Sequence, residues 1–92
     1  MTANTHGCYV DSGMIWTGDP CYLISACERG MTWDSFCEKL RADAHWDSLP
    51  RHSEPLGTGL GLAIGTLYGD GEYQVTFNLK HGEIDSVRVK LA

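Results

Sequence analysis

The sequence predicts an α+β fold, a small and mostly antiparallel β-sheet or partly open barrel with one amphipathic helix at about residues 32–45. Three observations indicate this class. Apolar and polar residues alternate through the C-terminal third, as in strands that bury one face. A segment near the middle instead has the 3.6-residue period of a helix. The 92 residues are enough for one hydrophobic core but not for two, so we expect a single domain over residues 1–92.

The N-terminal part is predicted to begin with a hairpin of two short strands, at residues 9–10 and 14–16. Between them, residues 11–13 have the sequence Asp-Ser-Gly, which is typical of a turn. Pro20 then interrupts the chain, because proline fixes its own φ and disfavours helix in the residue before it. Residues 21–24 are expected to form a further extended run.

The helix is predicted from a stripe of apolar residues at helical spacing. The stripe consists of Trp33, Phe36, Cys37, Leu40 and Ala44. Thr32 is the expected N-cap, and Asp34 in the first turn suits the positive end of the helix dipole. We expect Trp33 to belong to the core and the helix to end near His45. The proline- and glycine-rich residues 47–59 are expected to form a loop.

The C-terminal third is predicted to be a meander of three strands, at residues 60–67, 72–79 and 84–91. Gly71 and Gly82 lie in the connecting segments, where hairpin loops require a positive φ. One face of the first strand carries almost no side chains, since it consists of Gly61, Ala63 and Gly65. We expect a helix, a ligand or a second subunit to pack closely on that face.

Charge and composition disfavour some classes of partner. The net charge is −5 and the pI is about 5.1, so the phosphates of long nucleic acids are expected to repel the chain. The sequence contains no run of about 18 apolar residues that would cross a membrane, and it shows no secretion signal. We therefore expect a soluble, cytoplasmic protein without a membrane partner. Thiols stay reduced in the cytoplasm, and the four cysteines are therefore expected to be buried apolar residues.

The potentially reactive side chains form no coherent catalytic set. The cysteines lack the paired spacing of zinc sites, and the histidines lie in predicted termini, loops or turns. We therefore expect no metal, no cofactor and no catalytic residues, and a binding module rather than an enzyme. The alternative is a small hydrolase or thiol enzyme in which Cys21 or Asp19 acts with His6, His45 or His52.

Two segments resemble motifs of small uncharacterised bacterial and phage proteins. In the first segment, Ser12 and Gly13 are followed by Gly-Asp-Pro-Cys-Tyr at residues 18–22. In the second, residues 69–75 have the pattern Gly-Asp-Gly-x-Tyr-x-Val. The resemblance implies a compact β-rich domain and a phage or prophage origin, and it brings no catalytic residues with it.

The leading hypothesis is a small non-catalytic module that binds a small molecule. Both motif segments are glycine- and aspartate-rich turns, whose backbone N–H groups can bind an anion and whose carboxylates can accept from ribose hydroxyls. We predict a site where the two segments meet, with five ligand-binding residues: Trp16, Asp19, Tyr22, Asp70 and Tyr73. A phage-encoded module of this kind is expected to sequester a host signalling nucleotide or to inhibit a host protein.

A homo-oligomer is expected as well. Three tryptophans, four tyrosines and two phenylalanines provide more aromatic surface than one short helix can cover. A second chain packing on the face formed by Gly61, Ala63 and Gly65 would bury part of this surface.

Overall fold

The computed structural model describes residues 2–92 and contains six strands and two helices. Their bounds are β1 (Thr2–Val10), β2 (Met14–Thr17), α1 (Pro20–Glu28), α2 (Trp33–Ala42), β3 (His52–Ser53), β4 (Leu62–Gly65), β5 (Gly71–Lys80) and β6 (Glu83–Lys90). The strands form two antiparallel three-stranded sheets, with the orders β1-β5-β6 and β2-β4-β3. These elements confirm the predicted α+β class. They form open sheets rather than a barrel, and there are two helices where the sequence predicts one.

The chain divides into two compact units. The terminal unit consists of the residues up to Met14 together with Thr66–Ala92, and the central unit consists of Ile15–Gly65. The terminal unit contains the β1-β5-β6 sheet, and the central unit contains both helices, β3, β4 and all of β2 except its first residue. Neither helix in the described part of the chain is long and apolar enough to cross a membrane. That residues 1–92 form a single domain stays a prediction.

In the terminal unit, β5 is the central strand and pairs with β1 from Gly71 to Leu79. The hairpin predicted between β5 and β6 is confirmed. Its turn has positive φ at both central residues, 55° at His81 and 79° at Gly82, which is the requirement of a type I′ turn. A register shift between Asn78 and Leu79 interrupts the ladder near this turn.

The remaining strand pairings differ from the prediction. β1 and β2 lie in different sheets, so the expected N-terminal hairpin is wrong, although residues 11–13 do form the bend between them. β4 pairs with β3 rather than with β5, which removes the first strand from the expected meander. The place beside β5 is taken by β1, whose polar N-terminal half has no strand-like alternation of apolar residues.

Helix α1 replaces the extended run expected at residues 21–24. The Asp19 carboxylate accepts a hydrogen bond from the backbone N–H of Cys21 at 2.9 Å, and Pro20 takes the first helical position, where its missing N–H costs nothing. At the other end, Gly30 has φ 99° and donates to the carbonyl of Cys27. These are the usual start and stop signals of a helix.

Helix α2 confirms the predicted helix and its N-cap. The Thr32 hydroxyl accepts from the backbone N–H of Ser35 at 3.2 Å, and the Ser35 hydroxyl accepts from the N–H of Thr32 at 2.8 Å. Phe36 and Leu40 are buried as expected. Trp33 is not a core residue, however, since 59% of it is exposed, and the helix ends at Ala42 rather than near His45.

The glycine-rich face of β4 is covered from within the central unit. The Trp16 ring lies against Gly61, and the stem of Arg51 lies against Gly65. Ala63, between them, is fully buried. The close packing expected here is therefore present, but two side chains of the central unit provide it rather than a ligand or a second subunit.

The four cysteines are free, as expected, but they are not buried. Cys21 and Cys27 are exposed on α1, and Cys8 and Cys37 are partly exposed. Ala26 is the buried residue of the nine-residue helix α1, so Cys21 and Cys27 lie on the part of the helix that faces solvent.

Candidate functional site

A surface cavity of about 370 Å³ lies in the terminal unit and is the candidate site. Two of the five predicted ligand-binding residues, Asp70 and Tyr73, line it. Tyr68, Glu72 and Lys90 also belong to its lining. The cavity thus combines aromatic surface with two carboxylates and one ammonium group.

The segment before β5 is held in place by hydrogen bonds to a single carbonyl oxygen. The Tyr73 hydroxyl donates to the carbonyl of Gly69 at 2.7 Å, and the Thr66 hydroxyl donates to the same oxygen at 2.6 Å. Nearby, the N–H of Leu67 donates to the carbonyl of Leu91 at 3.1 Å. Tyr73 is buried, so its phenol fixes the turn rather than offering a free hydroxyl to a ligand.

Tyr68 presents most of its ring to solvent at this cavity. It follows Leu67 in the anchored turn and is 73% exposed, which leaves its ring free to stack on a planar group. Tyr68 was not among the five predicted ligand-binding residues. The sequence alone does not indicate whether Tyr68 is exposed or buried, because tyrosines beside turns occur both on the surface and in the core.

Lys90 contributes the positive charge of the cavity and was not predicted as a site residue. It lies on β6, directly across the ladder from Gln74 of β5. The signal that could have identified Lys90 is the β5–β6 register, since cross-strand partners share a face of the sheet. That register depends on the register shift between Asn78 and Leu79, which no sequence pattern predicts.

The two acidic residues of the cavity differ in their surroundings. Glu72 pairs with Tyr9 of β1, and its side chain reaches Gly7, where an added Cβ would be 2.8 Å from the Glu72 Oε1 atom. The Glu72 side chain is exposed, and its carboxylate end lies over β1. Asp70 precedes β5 and is exposed. Both carboxylates are therefore open to a ligand, and Asp70 is the one predicted from sequence.

The other three predicted ligand-binding residues, Trp16, Asp19 and Tyr22, lie in the central unit. The Asp19 carboxylate is used as the N-cap of α1. Trp16 packs edge-on against Phe36 with ring centroids 5.9 Å apart, and its indole Nε1 is buried without a hydrogen-bond partner within residues 2–92. Tyr22 is exposed on α1. Their participation in ligand binding stays a prediction.

The groups of the enzyme alternative each have other neighbours. Cys21 lies exposed in the first turn of α1. His45 and His52 stack on each other with ring centroids 5.1 Å apart, and His52 Nδ1 lies 2.7 Å from the carbonyl oxygen of Pro50. In the terminal unit, His6 packs against Phe77. None of these contacts, in the part of the chain that is described, brings a histidine to Cys21 or Asp19.

Comparisons with known proteins add no family. The chain matches no protein-family model, no curated protein and no solved structure. The resemblance to small bacterial and phage proteins accordingly stays a hypothesis. Within the described residues 2–92, no three histidine, cysteine, aspartate or glutamate side chains are grouped so that they could hold a metal ion.

Proposed function

We propose that the chain is a small non-catalytic binding module for a nucleotide that carries a single phosphate group. The ligand would occupy the cavity of the terminal unit. One observation carries this proposal: Asp70 and Tyr73, predicted from sequence, line one cavity together with the exposed ring of Tyr68 and the ammonium group of Lys90.

The cavity volume fits a ligand of this size. Small-molecule sites are typically about 300–1,000 Å³, and the cavity of about 370 Å³ lies at the lower end of that range. A mononucleotide fills such a space, whereas a cofactor with two nucleotide moieties exceeds it.

The side chains provide one contact for each part of a mononucleotide. Tyr68 stacks on the base, an interaction that contributes about 1–3 kcal/mol in comparable sites. Asp70 accepts from ribose hydroxyls or from an exocyclic amine, and Lys90 pairs with the phosphate.

The charge of the lining favours one phosphate over three. Asp70 and Glu72 contribute two negative charges and Lys90 one positive charge, so the lining is net negative. A triphosphate would be repelled by the carboxylates, while a cyclic nucleotide presents a single charge that Lys90 can neutralise.

The biological role we propose is sequestration of a host signalling nucleotide in the cytoplasm by a phage-encoded protein. Such a role requires that the ligand leave the site chemically unchanged. Inhibition of a host protein was the other role suggested by sequence, and no feature of the described residues favours it.

We also propose that the module is a homo-oligomer, through the apolar face of the β1-β5-β6 sheet. Val87 and Ile84 on β6 are 55% and 57% exposed, and Phe77 beside them on β5 is partly exposed. A second copy burying these side chains would remove apolar surface from water at about 25 cal/mol per Å².

Calorimetric titration of the full chain with cyclic AMP and cyclic GMP tests the nucleotide proposal. We expect saturable binding of at least one of them, and at least about tenfold weaker binding of ATP. Tyr68→Ala and Lys90→Gln should each weaken binding by about tenfold or more. Lys80→Gln removes the same charge from the far end of β5 and is the matched control, with unchanged affinity expected.

Two results would contradict the proposal. The first is no saturable binding of either cyclic nucleotide, or of AMP, at concentrations up to about 1 mM. The second is equal affinity in the wild-type chain and in the Tyr68 and Lys90 variants. Mass spectrometry of the ligand after incubation should return it intact, and a hydrolysed product would support the enzyme alternative instead.

A further inference from the structure

The central unit has a second cavity, of about 220 Å³, in the segment that follows α2. Its lining consists of Trp46, Asp47, Ser48, Leu49 and Arg51. It shares no residue with the cavity proposed for the nucleotide. The segment belongs to the region expected from sequence to be a plain loop.

Arg51 is held in this cavity by two contacts. Its Cζ atom lies 4.4 Å from the ring centroid of Trp46, which is a cation–π contact on a buried indole. Its stem lies on Gly65, where an added Cβ would be 2.7 Å from the Arg51 Cδ atom and 3.1 Å from its Cγ. The φ of Gly65 is not positive, so backbone conformation does not require glycine here. Glycine fits this position because a side chain would occupy the space that Arg51 fills.

The stacked guanidinium keeps its N–H donors available. A cation–π contact occupies the face of the group and leaves the donors around its edge free. The polar neighbours bond elsewhere: the Ser48 hydroxyl donates to the carbonyl of Ala44 at 3.5 Å, and His52 Nδ1 lies near Pro50. A planar, pre-positioned fork of this kind matches a carboxylate in bidentate geometry.

The remaining lining determines which carboxylate fits. Asp47 places a negative charge in the same cavity, which disfavours a ligand that is only an anion. Arg51 likewise disfavours a ligand that is only a cation. Leu49, 92% exposed, provides apolar surface, whereas the Trp46 ring is buried beneath Arg51. At about 30 Å³ per water, the cavity holds about seven waters, which is the scale of one amino acid.

We infer that this cavity binds a free α-amino acid with an apolar side chain. Arg51 takes the carboxylate, Asp47 takes the ammonium group, and the apolar side chain lies on Leu49. This site is independent of the nucleotide site, because the two cavities share no residue.

NMR titration of the ¹⁵N-labelled full chain with L-leucine tests the inference. Trp46 has one of three indole N–H groups, and each signal is assigned from the corresponding single Trp→Phe variant. We expect saturable shifts of the Trp46 indole and Arg51 Nε signals. N-acetyl-leucine keeps only the carboxylate and leucinamide only the ammonium group, so each should bind at least about tenfold more weakly.

Four variants separate this site from a general effect on folding. Arg51→Lys keeps the charge but loses the planar fork, and should weaken leucine binding by at least about tenfold. Gly65→Ala displaces the Arg51 stem without touching the ligand and should weaken binding in the same direction. Asp47→Asn should abolish the preference for leucine over N-acetyl-leucine. Arg41→Lys, on exposed α2 surface, is the control and should bind as the wild type does.

The inference is overturned by any of three results in variants whose spectra remain dispersed. They are no saturable shift at about 20 mM leucine, affinity for N-acetyl-leucine equal to that for leucine, and unchanged affinity in Arg51→Lys. If Arg51→Lys does not fold, the comparison of leucine with its two analogues on the wild-type chain decides alone.

Discussion

Gly61 is the glycine of the central unit at which an added Cβ would have the closest contact. An added Cβ would lie 2.2 Å from Cζ2 of Trp16 and 2.5 Å from Cη2 of the same ring. The residue also has φ 128°, a conformation that side chains rarely adopt. Two independent conditions therefore require glycine here, one steric and one conformational.

Gly61→Ala should destabilise the chain strongly. Overpacking contributes about 1–3 kcal/mol and the positive φ about 1–2 kcal/mol, so we expect a loss of about 3 kcal/mol in chemical denaturation. Gly59→Ala is the matched control, because Gly59 has φ 80° but no atom within 4 Å of an added Cβ. It should lose only the conformational part, about 1–2 kcal/mol. Equal losses in both variants would mean that Trp16 does not restrict Gly61.

Asp43 couples the end of α2 to pH. Its carboxylate accepts from the backbone N–H of His45 at 2.9 Å and from that of Glu54 at 3.4 Å. The hydrogen bond from His45, above all, holds the pKa of Asp43 below its ordinary value. Because the folded-state pKa is lowered, the ionised group stabilises the fold above the unfolded-state pKa, and this contribution disappears as pH falls through the folded-state value.

Asp43→Asn should therefore lower the melting temperature at neutral pH, and the difference from wild type should shrink on acidification from about pH 5 to about pH 2. Thermal unfolding followed by circular dichroism across this range measures it. Asp85→Asn controls for the loss of one exposed carboxylate. A difference that does not change with pH would show that Asp43 acts only through packing.

Among the elements, helix α1 begins at residues that are typical both of a chain break and of a helix N-terminus. Pro20 predicts a break in the chain, but aspartate as N-cap followed by proline at the first position is also how a helix begins. The apolar residues of α1 gave no clear stripe: Ala26 is buried, whereas Tyr22 and Ile24 are exposed. The capping residues therefore indicate this helix, whereas the spacing of its apolar residues does not.

Removing the α1 cap should cost about 1 kcal/mol. Asp19→Ala loses the acceptor for the Cys21 N–H, and substitutions of this kind typically cost about 0.5–2 kcal/mol. Asp19→Asn keeps a side-chain acceptor and should recover most of the loss. Urea denaturation of both variants gives the comparison. Full stability of Asp19→Ala would mean that α1 does not depend on this cap.

Elements with local signals were predictable, and those with distant partners were not. The β5–β6 hairpin follows from alternation and a two-residue turn, and α2 from its stripe and Thr32. β1 pairs Thr2 with Leu79, and no local pattern specifies a partner so far along the chain. The lining of the candidate cavity was predictable only in part, for the same reason. Asp70 and Tyr73 belong to a local motif, whereas the position of Lys90 depends on the pairing of β6 with β5.

At the scale of the whole molecule, the proposed oligomer forms through the apolar face of the β1-β5-β6 sheet, and not through the glycine-rich face predicted from sequence. Light scattering at micromolar concentration should give twice the 10.1 kDa mass of one chain. Val87→Glu places a charge on the apolar face and should give a monomer. Ser86→Glu, on the neighbouring residue of the polar face, should remain a dimer. A monomeric wild type would refute the prediction.

The discontinuous make-up of the terminal unit has a consequence for how the protein is made. Its β1 strand is synthesised before the central unit, yet its partner β5 is synthesised only after the whole central unit. The central unit is one continuous stretch and can begin folding during synthesis, while β1 must wait. The points where the chain leaves and re-enters the terminal unit are adjacent, since the N–H of Thr66 donates to the carbonyl of Gly13 at 3.0 Å. The central unit thus has the connectivity of an insertion, and a short linker in its place would leave the β1-β5-β6 sheet as a minimal protein.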